Sequence, residues 1–250
     1  IRILVLSDTC NQWPYAPVTH VTPPPNIDVF IHCGNLTQMG GLSAFHTALE
    51  NVRAIPADLR LVIAGNQDLD LDEAWVIKSS IARGLEDDIL EELGTSMQCQ
   101  NLFASAKENG VHYLREGVHE FELPSPSSGY RRKKTLKVYA SPYTPAHNGY
   151  AFTYGTDEDR FNLPPSTPSN TSASTINLNS PNEPIPDNMD IVITHGPPKF
   201  DTLYYRLDMN AAGQHGGCQN LRKAVMRVKP KLHCFGHVRE GRGAVEFEWA

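Results

Sequence analysis

The chain has 250 residues, 20% of them charged and 40% hydrophobic, with a formal net charge of −6. That is long enough for one well-buried core, which sets the expected organisation as a single domain over residues 1–250. The acidic balance excludes a general nucleic-acid binder, which needs a clustered basic surface.

The five cysteines stand at irregular spacing with no C-x-x-C pair, so a reduced, cytoplasmic setting is expected. No run of about 18 apolar residues is present, so no membrane partner is expected. The chain begins inside a predicted strand, consistent with a leader removed ahead of residue 1.

Residues 1–6 form an apolar run broken by Arg2, which predicts a central strand buried on both faces. It ends at Ser7-Asp8-Thr9-Cys10. Residues 11–26 are rich in Pro and Thr and predict a loop over a cleft mouth. A second strand over 28–32 stops at Cys33-Gly34-Asn35. Leu42, Phe45, Leu49 and Val52 stand at helical spacing, and a third strand over 59–64 runs into Gly65-Asn66-Gln67-Asp68. This β-loop-β-α-β start is that of a layered α/β fold. Asp68, Asp70 and Asp72 lack the Gly and Glu of a calcium loop and read as turn and helix-start residues. Helices are predicted around Trp75, over 86–93 and over 101–109.

From Val111 the period changes to short strands over 111–114, 118–123 and 136–140, predicting a second, more antiparallel sheet. Arg131-Arg132-Lys133-Lys134 reads as a solvated hairpin turn. Residues 157–188, dominated by Pro, Ser, Thr and Asn, read as a surface insertion, and the sequon at Asn170 within them matters only in a secreted chain. A strand over 190–194 precedes Thr194-His195-Gly196-Pro197-Pro198, a helix covers 217–228, and a strand over 231–235 delivers Gly236-His237-Val238-Arg239, with 244–248 as its neighbour. Five apolar runs thus end in polar turns at one sheet edge, where ligands sit in open α/β sheets.

These five turns, in this order, resemble the calcineurin-like metallophosphoesterase superfamily, whose pattern reads D-x-H, G-D, G-N-H-D/E, T-H-G and G-H-x-H. Thr194 to Pro198, His215-Gly216-Gly217-Cys218 and Gly236-His237 with Glu240-Gly241 resemble a eukaryotic and fungal subgroup containing the brain-expressed metallophosphoesterase-domain proteins. The resemblance implies an αββα sandwich of two mixed β-sheets flanked by helices. It also implies two metal ions that polarise a phosphoryl group and supply a hydroxide.

The sequence departs from that pattern where the chemistry is most exacting. Cys10 stands for the His of D-x-H, Asn35 for the bridging Asp, Gln67 for the G-N-H histidine and Arg239 for the second His of G-H-x-H. A permanent cation is not a metal ligand, and an amide does not titrate near neutral pH. Of the first ion's implied ligands only Asp8 survives, whereas Asn66, His195 and His237 survive for the second. An Asp8–Arg239 pair is expected to take the place of the lost ion, with an anion-binding Arg239 as the equal alternative. Cys10 and Cys33 read as inert thiols. Tyr143, Tyr150 and Phe152 lie where the subgroup has an aromatic wall, with core packing as the plainer alternative.

Three functions follow. The first is a cleft without two-metal hydrolysis and without a cofactor. There His195, His237, Asp8 and Arg239 perform acid-base chemistry of isomerase, dehydratase or cyclase type on a small anionic or carbonyl-bearing molecule, which Asn35, Asn66, Gln67, Cys10, Tyr143 and His215 bind. The second is a weak phosphodiesterase with one Mn, Fe or Zn ion at Asn66, His195 and His237. The third is a non-catalytic module presenting residues 11–26 and 157–188 to a partner. Oligomeric state is not encoded in any of these patterns.

Overall fold

The computed structural model describes residues 1–16, 19–123, 134–163, 184–202 and 204–249. The core of the expected insertion, its sequon and Arg131 to Lys133 fall outside these residues. The elements run β1 (Ile3–Leu6), β2 (Ile27–His32), α1 (Leu42–Arg53), β3 (Ala57–Val62), α2 (Glu73–Ala82), α3 (Ile89–Ser105), β4 (Val111–Tyr113), β5 (Gly117–Leu123), β6 (Lys134–Ser141), β7 (Thr144–Pro145), β8 (Thr153–Tyr154), β9 (Ile191–Thr194), α4 (Gln219–Val228) and β10 (Leu232–Cys234).

Alternation along the strands builds the layers, because successive side chains point to opposite faces. Val29 and Ile31 of β2, with Leu59 and Leu61 of β3, meet Val138, Ala140, Ile191 and Ile193 of β6 and β9 between the sheets. Phe30 and Val62 face the other way, onto Phe45, Leu49 and Val52 of α1 and Cys99 and Phe103 of α3. Tyr139 and Val192 face Leu221, Ala224, Val225 and Val228 of α4. The result is helix, sheet, sheet, helix, the αββα sandwich.

The first sheet has the order β1-β2-β3-β4, all parallel; the second has β10-β9-β6-β5, with only β5–β6 antiparallel. Four expectations need correction. β1 is an edge strand, not a central one: Val5 is 38% exposed, and so short an apolar run cannot report burial on both faces. The helices predicted over 86–93 and 101–109 are one, α3, which runs through Gly94. β4 joins the first sheet, in parallel with β3, and the second sheet is less antiparallel than expected. Residues 244–248 form no strand; Phe247 stacks on Phe200 and Trp249 instead. The 11–26 loop starts by turning Trp13 into the α1 layer, its ring 6.0 Å from that of His32.

One buried ion network ties the two halves of the second sheet's rim. Arg160 donates to both Glu116 oxygens at 2.9 and 2.8 Å and to Glu158 at 3.1 Å, and Ser141 Oγ adds a bond to Glu116. Removing one partner strands the other charge out of water. Arg160→Ala should therefore cost about 3–5 kcal/mol of stability, read by urea unfolding. A loss below about 1 kcal/mol would show the pair to be idle.

Candidate functional site

The cleft floor is made of the turns that follow β1, β2, β3, β9 and β10. Four of its site residues sit in the left-handed region, Asp8 at φ 55°, Cys10 at φ 45°, Asn35 at φ 55° and His237 at φ 68°, so the chain bends sharply after β1, β2 and β10 and turns these side chains into a common space. Asp68 locks two of these turns together. Its buried carboxylate accepts from the backbone N–H groups of Leu36, Thr37 and Gly65 and from the Thr37 hydroxyl, at 3.2, 2.9, 2.8 and 2.8 Å.

At the centre lies the Asn66 amide oxygen. Asn35 Nδ2 donates to it at 3.2 Å, His195 Nε2 stands 2.8 Å away and His237 Nδ1 3.3 Å away. The orientation of both amides is fixed by their neighbours: the Gln67 N–H donates to Asn35 Oδ1 at 2.8 Å, so Asn35 Nδ2 must face Asp8 Oδ1, at 2.8 Å, and Asn66 Oδ1. His195 Nδ1 lies 2.7 Å from the Cys33 carbonyl, which can only accept, so that nitrogen carries a proton. The two imidazoles meet edge to face with centroids 5.1 Å apart.

Asp8 accepts from Ser7 Oγ at 2.6 Å, from the His237 N–H at 2.8 Å and from Asn35. Burial works to raise its carboxyl, but the His195 charge and these three donors hold it below the usual carboxylate value. With its oxygens engaged, Asp8 forms no ion pair with Arg239, contrary to the expected substitute for the ion. Arg239 Nη2 instead donates to Cys10 Sγ at 2.9 Å, and Cys10 Sγ donates to Gln67 Oε1 at 3.3 Å. Burial outweighs the nearby guanidinium and pushes the Cys10 thiol up to about 11, in keeping with an inert thiol.

Two expected ligand-binding residues lie in other clusters. Tyr143 carries the Arg160 guanidinium 3.6 Å above its ring and meets Phe152 edge on, so it belongs to the ion network. His215 Nδ1 pairs with the fully buried Asp208 at 2.7 Å, in the loop between β9 and α4. Ser7, Asp68, the Cys33 carbonyl and Asp208 were not singled out for these roles. Only Asp68 had a signal, its place in the G-N-x-D turn.

The donor set decides what the site can hold. On the Asp8–Cys10 side, a fixed guanidinium and an occupied carboxylate do not fit a metal ion. On the Asn66 side, an amide oxygen and two imidazole nitrogens stand 2.8 and 3.3 Å apart, close to the ~3 Å between neighbouring ligands of one ion with bonds of about 2.1 Å. His195 also gives its second N–H to a backbone carbonyl, the usual support of a metal-bound imidazole. One ion fits; two do not. Among the described residues no group of three or more His, Cys, Asp or Glu side chains gathers as a metal site.

Burial also sets an acid limit on the fold. It lowers His32 and His233 to about 3, and burial with the His195 charge lowers His237 to about 4. In the unfolded chain these rings titrate near 6.5, so below that pH the unfolded state binds more protons and stability falls until the folded values are reached. Asp68, which burial raises, opposes this with one proton against three. Unfolding free energy should drop between pH 6.5 and 4.5 with a slope approaching about 3 kcal/mol per pH unit. A flat urea midpoint across that range would refute the neutral burial of these rings.

The sequence profile of the calcineurin-like phosphoesterase family matches residues 1–240. The chain is 28% identical over 248 residues to metallophosphoesterase domain-containing protein 1 of Homo sapiens, covering 98% of this chain and 62% of that protein. It is 28% identical over its whole length to 18% of "Probable rhamnogalacturonate lyase C" of Emericella nidulans. It is 25% identical over 245 residues to the UPF0046 protein K07C11.7 of Caenorhabditis elegans, covering 98% of this chain and 66% of that protein. The chain thus spans under two thirds of these relatives. Among the described residues no helix is long and apolar enough to cross a membrane. With the family's profile running through both sheets and every turn of the cleft, the chain belongs to the calcineurin-like phosphoesterase family, in a form whose metal-binding motifs are degenerate.

Proposed function

We propose that this chain has lost two-metal phosphoester hydrolysis and that its cleft, within a single domain over residues 1–250, binds a small anionic or carbonyl-bearing molecule for proton-transfer chemistry. The reaction type is isomerisation, dehydration or cyclisation. The observation that carries this reading is Arg239 donating to Cys10, which sets a permanent cation where the family pattern would bring two imidazoles to an ion.

Each polar group then has a task. His195 Nε2 lies 2.8 Å from the Asn66 amide oxygen, and we assign His195 the part of the acid. His237, lowered to about 4, is neutral at pH 7; with Nδ1 donating to Asn66 it keeps its lone pair on Nε2 as the base. An acid and a base 5.1 Å apart between ring centres is the division of labour that proton transfer needs. Arg239 would stabilise a developing oxyanion or hold a carboxylate or phosphate. Asp8 positions His237 through its backbone N–H. Five free thiols fit a reducing compartment, and we place the chain in the cytoplasm.

A second reading, a weak mononuclear phosphodiesterase, is favoured by one observation, the anchoring of His195 Nδ1 on the Cys33 carbonyl. Asn66, His195 and His237 would hold the ion, and a bound Mn, Fe or Zn would supply Lewis-acid polarisation of a phosphoryl oxygen.

The deciding experiment is elemental analysis of protein purified without chelator and after a manganese soak, with anomalous scattering to place any ion. No ion beside Asp8 and Cys10 is expected. Two stoichiometric ions would overturn the first reading, and one ion at Asn66 together with phosphodiester hydrolysis would establish the second.

A further inference from the structure

A groove of about 700 Å³ lies apart from the Asn–His cluster, between the carboxyl-terminal half of α3 and strands β4 and β5. These two strands are the free edges of the two sheets on one side of the sandwich, so the groove is where the layers part. Its volume lies within the range of small-ligand sites.

Its lining is unusual for a chain of net charge −6. Lys107, His112, Arg115 and His119 face it beside Phe103 and Phe121. Among the described residues neither Lys107 nor Arg115 has an ion-pair partner; Arg115 Nη2 donates at 3.0 Å to the neutral Gln100 side chain. The carboxylate in the groove, Glu120, is already paired with Lys137 at 3.6 Å. The unbalanced positive field is felt inside: burial first, then the Lys107 charge, depresses the His112 imidazole. His119 Nε2 lies 2.9 Å from the Arg115 carbonyl, so its ring is held in place. His112 and Phe121 meet edge to face at 5.1 Å and form an aromatic corner of the groove, and Val118 beside them is 44% exposed.

Cations without an ion-pair partner call for an anion, and an aromatic face such as that of Phe121 calls for a planar body. A nucleic-acid strand would need a longer track of cations than two. We propose that this groove is a second ligand site, taking a small planar molecule that bears a phosphate or a carboxylate, with Lys107 and Arg115 on the anion and Phe121 against the ring.

The test is a titration of the ¹⁵N-labelled full chain with phenyl phosphate, benzoate, inorganic phosphate and phenol, followed by amide shifts. Phenyl phosphate or benzoate should move the amides of residues 103–121 with an affinity of their own, independent of any shifts around Asp8, Asn66 and His195; which of the two binds more tightly identifies the anion. Lys107→Ala and Arg115→Gln, both at exposed side chains, should each weaken binding about tenfold, whereas His237→Ala should leave it unchanged. Shifts confined to the Asn–His cleft, equal affinity in the Lys107→Ala, Arg115→Gln double variant, or equally tight binding of inorganic phosphate would each overturn the proposal.

Discussion

Changing Cys10→His, Asn35→Asp, Gln67→His and Arg239→His together should convert the cleft into a two-ion phosphodiesterase. The backbone needed for this is in place, since the turns after β1, β2, β3, β9 and β10 already gather their side chains around Asn66. Cys10 sits at φ 45°, a conformation histidine tolerates better than most residues, and shortening Arg239 frees the space beside it. Asn35→Asp removes the amide that now donates to Asp8 at 2.8 Å and sets two carboxylates face to face. Without ions that repulsion destabilises the variant; with manganese the pair becomes a bridge. Two signatures should therefore appear together. The melting temperature should rise with manganese, by an amount equivalent to ~2.7 kcal/mol at a hundred times the dissociation constant. Hydrolysis of bis(p-nitrophenyl) phosphate should rise at least ~10²-fold over the parent chain, the scale of one restored proton donor. Equal hydrolysis by the parent would show that its chemistry was never lost.

The second large effect is expected at Asp68→Ala. Its carboxylate gathers three backbone N–H groups and one hydroxyl from the turns after β2 and β3. Truncation leaves those donors in a site with no access to water, each costing about 1–3 kcal/mol if unpaired, so a total of about 4 kcal/mol or more is expected from urea unfolding. Because Asn35 and Asn66 hang from the same turns, ligand binding in the cleft should weaken in parallel. Asp68→Asn keeps one oxygen but turns an N–H₂ toward N–H donors, and should recover only part of the loss. A stability change below about 1 kcal/mol in the alanine variant would show that the turns hold without this clamp.

These residues also mark how far the sequence could be read. The strand ends were legible because each apolar run breaks into Asp, Gly, Asn or His, and the same turns line the cleft. The partners were not. Opposite charge suggested an Asp8–Arg239 pair, but a carboxylate already accepting from Ser7, Asn35 and the His237 N–H has no oxygen to spare, and saturation of that kind leaves no trace in the chain. Tyr143 was placed by resemblance at a ligand wall, yet a guanidinium from a residue 17 positions further on covers its ring. Residues 86–93 and 101–109 read as two helices, yet α3 runs on through Gly94, because a glycine inside a helix costs only about 1 kcal/mol and tertiary packing outweighs it. β4, three residues long, is too short for alternation to say which sheet it joins.

The left-handed turns of the cleft have a consequence for engineering. Asp8, Cys10, Asn35 and His237 each hold a backbone conformation that disfavours a Cβ, at a cost of order 1 kcal/mol apiece. Glycine would relax every one of them. At Asp8 and Asn35 the donors left unpaired outweigh that relief, whereas at Cys10 a search for more thermostable variants is drawn toward glycine, and that gain would remove a side chain that the cleft uses. Thermostability and cleft chemistry are in direct competition here, and stability screens on this protein need a ligand-binding readout beside the melting curve.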